Sequence, residues 1–167
     1  MLASLFADLS IGQLLTRMAA TAFVVIGVAV AVEAGGHRGH FDPSTYDPGL
    51  TTSVLVSIIA REVRIPVIAA GGIMDSRGIR AALSLGASAV QMGAAFILCP
   101  ESSADATYRA ALMSARSYDT RLTTAISGRP ARGLGNRFMD IGKVGPPTPS
   151  YPVAYDAGKA LHAAAFG

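Results

Sequence analysis

"IPVIAAGGIMDSRGIRAALSLGASAVQMGAAFI", residues 65–97, decides the fold. It opens on an apolar, β-branched run that stops at Gly71 and Gly72. Asp75 or Ser76 then offers a capping oxygen, and Ile79, Ala82 and Leu83 follow at helical spacing. A second apolar run, residues 88–97, comes next and is broken by Gly93. Strand, glycine turn, helix and strand in this order are the βαβ period. It predicts parallel strands joined by right-handed crossovers.

The same rhythm extends upstream. In "LTTSVLVSIIAREV", residues 50–63, Thr51 and Thr52 stand where an N-cap is needed, ahead of Val54, Leu55, Ile58 and Ile59 on a helical face. Before it, "AATAFVVIGVAVAV" is an apolar run of about 14 residues, against roughly 20 for a bilayer span, so a membrane segment is not expected. Asp8 precedes the run and Arg17 is the first cationic side chain, which argues against a signal peptide. A strand over residues 23–32, covered on both faces, accounts for it. Leu5, Leu9, Leu14 and Met18 fall near one face of a helix before that strand.

Downstream, "ESSADATYRAALMSAR" predicts a helix over 101–116 opened by Glu101, Ser102 and Ser103. From residue 117 glycines and prolines crowd together, which predicts an irregular, partly extended tail with a short helix in about the last ten residues. The expected organisation is one α/β domain. An amino-terminal helix covers 1–22, three βα units cover 23–116, and the loop-rich tail covers 117–167.

Apolar residues make up 51% of the 167 and charged residues 15%, which excludes a disordered chain. The net charge of +3 comes from scattered side chains with no basic block between aromatics, so nucleic acid is not an expected partner, whereas small anions are. Cys99 is the single cysteine, which rules out an intrachain disulfide and suggests a reducing, cytoplasmic setting. Its apolar neighbours in "FILCPES" suit an inert thiol better than a nucleophile.

Ligands of parallel α/β folds bind at the carboxyl ends of the strands, where all three glycine turns are expected. Gly71, Gly72 and Gly93 there let backbone amides approach an anion, and a following helix would add its dipole. The third turn, "VEAGGHRGHF" at residues 32–41, sets Gly35 and Gly36 before His37, and an imidazole suits proton transfer near neutral pH. His40, followed by Phe41 and Pro43, and His162 in the tail read as background. His37, His40 and Asp42 make too sparse a set for a metal site. Glu33 either faces the site or pairs with Arg38. Arg129 and Arg132 of "GRPARG" either reach an anionic group or are surface charges.

Four motifs in order, "EAGGHRG", the long stretch at residues 65–96, "CPES" and "SGRPARGLGNRFM", resemble the nitronate monooxygenases, once called 2-nitropropane dioxygenases. The resemblance implies a TIM (β/α)₈ barrel that binds flavin mononucleotide (FMN) and oxidises alkyl nitronates with O₂ to a carbonyl compound and nitrite. It makes His37 the active-site histidine, gives Gly71 and Gly72 to the flavin phosphate, and gives Gln91, Gly93 and Ala94 to the next phosphate-side turn. Gly35 and Gly36 join them as cofactor-binding candidates. Two positions depart from the family pattern: Ala94 replaces a threonine, and Val30 replaces a glutamine.

A whole barrel needs about 250 residues. This chain therefore corresponds to approximately the last three units and the tail. Two other readings remain beside the monooxygenase. One is a flavin-dependent enoyl-acyl-carrier-protein reductase, which shares the barrel and a similar glycine-histidine loop. The other is a truncated, non-catalytic remnant that associates through exposed strands or a missing barrel half.

Overall fold

The computed structural model describes residues 27–39, 42, 46–142 and 144–166. Along the chain, β1 (Gly27–Val30) and the two-residue β2 (Gly36–His37) precede α1 (Thr52–Glu62), β3 (Val67–Ala70), α2 (Ser76–Ser84) and β4 (Ala89–Gln91). Next come α3 (Ala94–Ile97), α4 (Ala106–Met113), a 3₁₀ turn (Ala115–Tyr118), β5 (Thr120–Thr123), β6 (Ala131–Leu134), α5 (Arg137–Ile141) and α6 (Val153–Phe166).

The expected parallel sheet is present, in the order β1-β3-β4. Gly27 aligns with Val67, Ile68 with Ala89, and Ala70 with Gln91. Parallel neighbours cannot be joined by a tight hairpin, so α1 and α2 serve as the crossovers. Ala29, Val67 and Ala69 from the sheet pack with Val56 of α1, Ala82 of α2, Ile73 and Ala87 in one buried cluster. Small side chains let the layers approach closely. A Cβ on Gly86, which has a φ of +104°, would sit 2.8 Å from the Ala60 side chain.

Helix starts follow local chemistry. Asp75 caps α2 by accepting from the amides of Arg77 and Gly78, both at 2.9 Å. Thr51 occupies the N-cap position of α1, but its side chain makes no cap bond. The Thr52 amide instead donates to Glu33, at 2.6 Å.

Several boundaries differ from expectation. The strand expected over 23–32 is seen as Gly27–Val30, since the chain turns at Ala31, whose carbonyl accepts from the Ala34 amide at 3.1 Å; residues 23–26, like the helix expected before them, lie outside the described residues. The run at 88–97 is strand only to Gln91, and after Gly93 it coils into α3, with the Phe96 amide donating to the Gly93 carbonyl. The helix expected from residue 101 begins at Ala106 because Asp105 is its cap. Arg109 holds the preceding segment out of helical form by donating to the carbonyls of Cys99, Ser102 and Ala104.

The tail is more regular than expected. β6 pairs antiparallel with β5 on one side and with β2 on the other, so the second sheet has the order β2-β6-β5. α6 runs for 14 residues rather than about ten. Arg121 of β5 bridges Asp119 and Asp140, which ties the hairpin to α5. The hydrogen bond that Arg121 donates to Asp119 and the charges of both carboxylates raise the Arg121 pKa above its ordinary value.

One polar side chain secures the end of β1. Arg38 is 9% exposed; its Nη1 donates to the Val30 carbonyl at 3.2 Å and to the Ala31 carbonyl at 2.5 Å. Its Nε meets the Asp47 carboxylate at 2.8 Å. A guanidinium presents five donors in a rigid fork, so it can satisfy strand-end carbonyls and a carboxylate together. Arg38→Ala is expected to lower unfolding stability by about 3 kcal/mol, because it strips a partly buried carboxylate of its cation. Val56→Ala should cost about 2 kcal/mol for two buried methyl groups and the space they leave. Urea unfolding with an unchanged m-value checks both.

Candidate functional site

The turn after β1 and the turn after β3 lie against each other. A Cβ on Gly71 would stand 2.9 Å from Thr52 Oγ1, 3.1 Å from the Ala34 amide nitrogen and 3.2 Å from Ala31 Cβ. With φ at +133°, residue 71 is glycine for this close packing as well as for its backbone. The Thr52 hydroxyl lies 2.8 Å from the Glu33 carboxylate and 2.7 Å from the Gly71 carbonyl, so it links both turns to the start of α1. Of the two roles open to Glu33, pairing with Arg38 is not the one adopted. Arg38 is paired with Asp47, and Glu33 serves α1.

Register brings the other glycine turn alongside. Because Ala70 aligns with Gln91, the turn at Gly71 and Gly72 neighbours the one at Gly93 and Ala94. Gly72 has a φ of +63° and is exposed. A Cβ at Gly93 would meet nothing within 4 Å, and the same holds at Gly35 and Gly36. The amides of Arg77 and Gly78 are taken by Asp75, so the first turn of α2 is not left open for an anion.

His37 belongs to a second group of residues. Gly36, with φ at +82°, turns the chain into β2, and Gly36 and His37 align with Arg132 and Ala131 of β6. The Arg38 amide extends this pairing to the Pro130 carbonyl at 2.8 Å. Arg132 reaches back to the Val32 carbonyl at 2.7 Å and to Thr120 Oγ1 at 3.1 Å, so its role is to tie the two sheets together.

Around the imidazole, His37 Nε2 is 2.8 Å from Ser127 Oγ, and Ser127 is 1% exposed. The rings of Tyr151 and Tyr155 meet His37 edge-on, with centroids at 6.1 and 5.7 Å. Two cations stand behind them: Arg129 lies 5.9 Å from the Tyr151 ring centroid and Lys159 Nζ lies 4.7 Å from that of Tyr155. The strap at Pro149–Tyr151 packs so closely on Gly128, whose φ is +76°, that a Cβ there would collide with its backbone.

The structure thus brings the expected glycines to neighbouring turns and surrounds His37 with tail residues that the sequence reading passed over. Ser127, Tyr151 and Tyr155 are those residues. The four-residue spacing of the two tyrosines was the one local hint. His40 lies outside the described residues, as does the side chain of His162. Among the described residues no three metal-ligating side chains cluster, and no helix is long and apolar enough to cross a membrane.

The chain is similar to known proteins over most of its length. The model of the nitronate monooxygenase family matches residues 10–166. A nitronate monooxygenase of Pseudomonas aeruginosa is 60% identical over 141 residues, 83% of this chain and 40% of the relative. One from Paraburkholderia phytofirmans is 54% identical over 140 residues, 38% of its length. The solved structure of a nitroalkane oxidase from Streptomyces ansochromogenes superposes with a TM-score of 0.81 at 39% identity, covering 89% of this chain and 43% of that one. FabK from Thermotoga maritima follows at a TM-score of 0.65 and 37% identity, with 87% of this chain and 43% of that one covered. The chain therefore spans about 40% of the length of the curated relatives it matches. With a family model matched across residues 10–166 and the α/β fold shared with a solved nitroalkane oxidase, the chain belongs to the nitronate monooxygenase family.

Proposed function

We propose that this chain carries the phosphate-binding turns and the proton-accepting histidine of an FMN-dependent enzyme that oxidises alkyl nitronates with O₂ to a carbonyl compound and nitrite. The observation that carries the reading is His37 itself, bonded to a buried serine and bordered by two tyrosine rings beyond the end of a parallel strand. The scaffold is approximately the last three units of a (β/α)₈ barrel. Strand order following chain order supports this, and so does the lack of an outer neighbour for β1 and β4 among the described residues. Upstream barrel strands, or those of another chain, would cover these edges.

The residues fit a flavin phosphate. Gly93 and Gly35 leave clear space where a side chain would stand, and Gly71 and Gly72 have the positive φ angles of a tight glycine turn. Glu33, the nearest carboxylate to Gly72, is engaged by the Thr52 amide and hydroxyl. Gly71, Gly72, Gln91, Gly93 and Ala94 would hold the phosphate, with Gly35 and Gly36 on the same rim. Ala94 contributes backbone only. FMN, when bound, supplies the redox chemistry by which electrons pass from nitronate to O₂.

The remaining work falls to this chain's side chains. His37 takes the proton from a neutral nitroalkane, as an imidazole base can. Tyr151 and Tyr155 border the exposed His37 ring and hold it edge-on. Arg129 and Lys159, the latter also paired with Asp156 at 3.2 Å, place cations beside the tyrosines, which suits an anionic nitronate.

Incubation with FMN followed by gel filtration should leave flavin absorbance on the protein, and nitrite release from a nitronate should follow. Colourless protein at saturating FMN would sink the proposal. Gly93→Leu should weaken FMN binding by about tenfold or more, since it fills the cradle. Its melting temperature should fall only slightly, because a Cβ at residue 93 meets nothing within 4 Å. His37→Asn should reduce turnover of a neutral nitroalkane by about 100-fold while flavin affinity changes little. Enoyl-thioester reduction by a nicotinamide cofactor, without nitrite release, would select the reductase reading instead.

A further inference from the structure

The hydrogen bonds of Ser127 determine which nitrogen of His37 can work as a base. A serine hydroxyl has one hydrogen and two lone pairs. Three polar groups surround Ser127 Oγ: the Arg129 amide at 3.3 Å, the Arg129 carbonyl at 3.1 Å and His37 Nε2 at 2.8 Å. The amide can only donate, so it occupies a lone pair. The carbonyl can only accept, so it requires the hydroxyl hydrogen. One lone pair remains for His37, and Nε2 must supply the hydrogen of that bond. In the reverse assignment the hydroxyl and carbonyl oxygens would face each other at 3.1 Å with no hydrogen between them, at a residue 1% exposed where water cannot intervene.

We infer that Ser127 is a positioning residue that commits Nε2 of His37 to the protonated state and leaves Nδ1 as the basic atom of the site. Nδ1 has no hydrogen-bond partner among the described residues. The assignment rests on the reading of His37 as the proton acceptor. It adds which atom accepts. In the step, the C–H bond next to the nitro group breaks, its electron pair stays on the substrate as the nitronate, and the proton forms an N–H bond at Nδ1. Neutral and protonated imidazole both keep the Nε2–H that Ser127 accepts. The bond to Ser127 therefore persists through the transfer, and the ring need not turn between Tyr151 and Tyr155.

Long-range ¹H–¹⁵N correlation spectra of the ¹⁵N-labelled chain test this directly. The chain has three histidines, so His37 is assigned by the signals lost in His37→Asn. Above the titration range, His37 should show a bare Nδ1 and a protonated Nε2 whose hydrogen exchanges slowly. Ser127→Ala should abolish the slow exchange, and Ser127→Thr, which keeps the hydroxyl, should restore it. A wild-type His37 with bare Nε2 and protonated Nδ1 would overturn the assignment, as would slow exchange that survives Ser127→Ala in a folded protein. In the FMN-loaded chain, Ser127→Ala should lower the ratio of nitroalkane to nitronate turnover about tenfold. If no turnover is found and the tautomer is as expected, the activity reading fails and the assignment of Nε2–H to Ser127 stands.

Discussion

Arg38 decides where the histidine loop goes. Its guanidinium takes the carbonyls of Val30 and Ala31 as β1 ends and clasps Asp47 on the other side. Strand-end carbonyls inside a protein must find donors, and a rigid fork of N–H groups meets that need better than a flexible ammonium. Its backbone amide is bound to the Pro130 carbonyl, so the same residue fixes both the end of the parallel sheet and the start of the antiparallel one. His37 is its neighbour in sequence and inherits that placement.

Close approach explains the glycine turns as fully as any ligand does. Gly71 is pressed against Thr52, Ala34 and Ala31, and its conformation lies in the left-handed range. Gly93 has neither constraint, since its surroundings are open and its φ is −111°. The two glycines therefore carry different information. The first reports packing between adjacent loops, whereas the second marks clear space at the end of β4, which is why it supports the cofactor reading more strongly. Asp75 also matters here, because it occupies the Arg77 and Gly78 amides in the first turn of α2.

The elements legible in the sequence were those whose signals are local. β3, α2 and the start of β4 followed from apolar runs, a capping aspartate and glycine punctuation within residues 65–97. Boundaries failed where one side chain overrode a run. Arg109 held residues 99–104 out of α4, and Gly93 diverted an apolar stretch from strand to helix. The β5–β6 hairpin was hidden because its glycines and prolines punctuate a hairpin and an irregular tail alike. β2 has only two residues, too few for any alternation to register.

What the sequence by itself determined was the parallel sheet with its crossovers, the neighbouring glycine turns and the prominence of His37, since each depends on residues within a few turns of chain. Only the tertiary structure decided what surrounds that histidine. Ser127 is 90 residues away, and Arg132 closes on Val32 across 100. Such contacts follow from the pairing of β2 with β6 and from the strap packed on Gly128, and long-range pairing leaves no periodicity for a sequence to display.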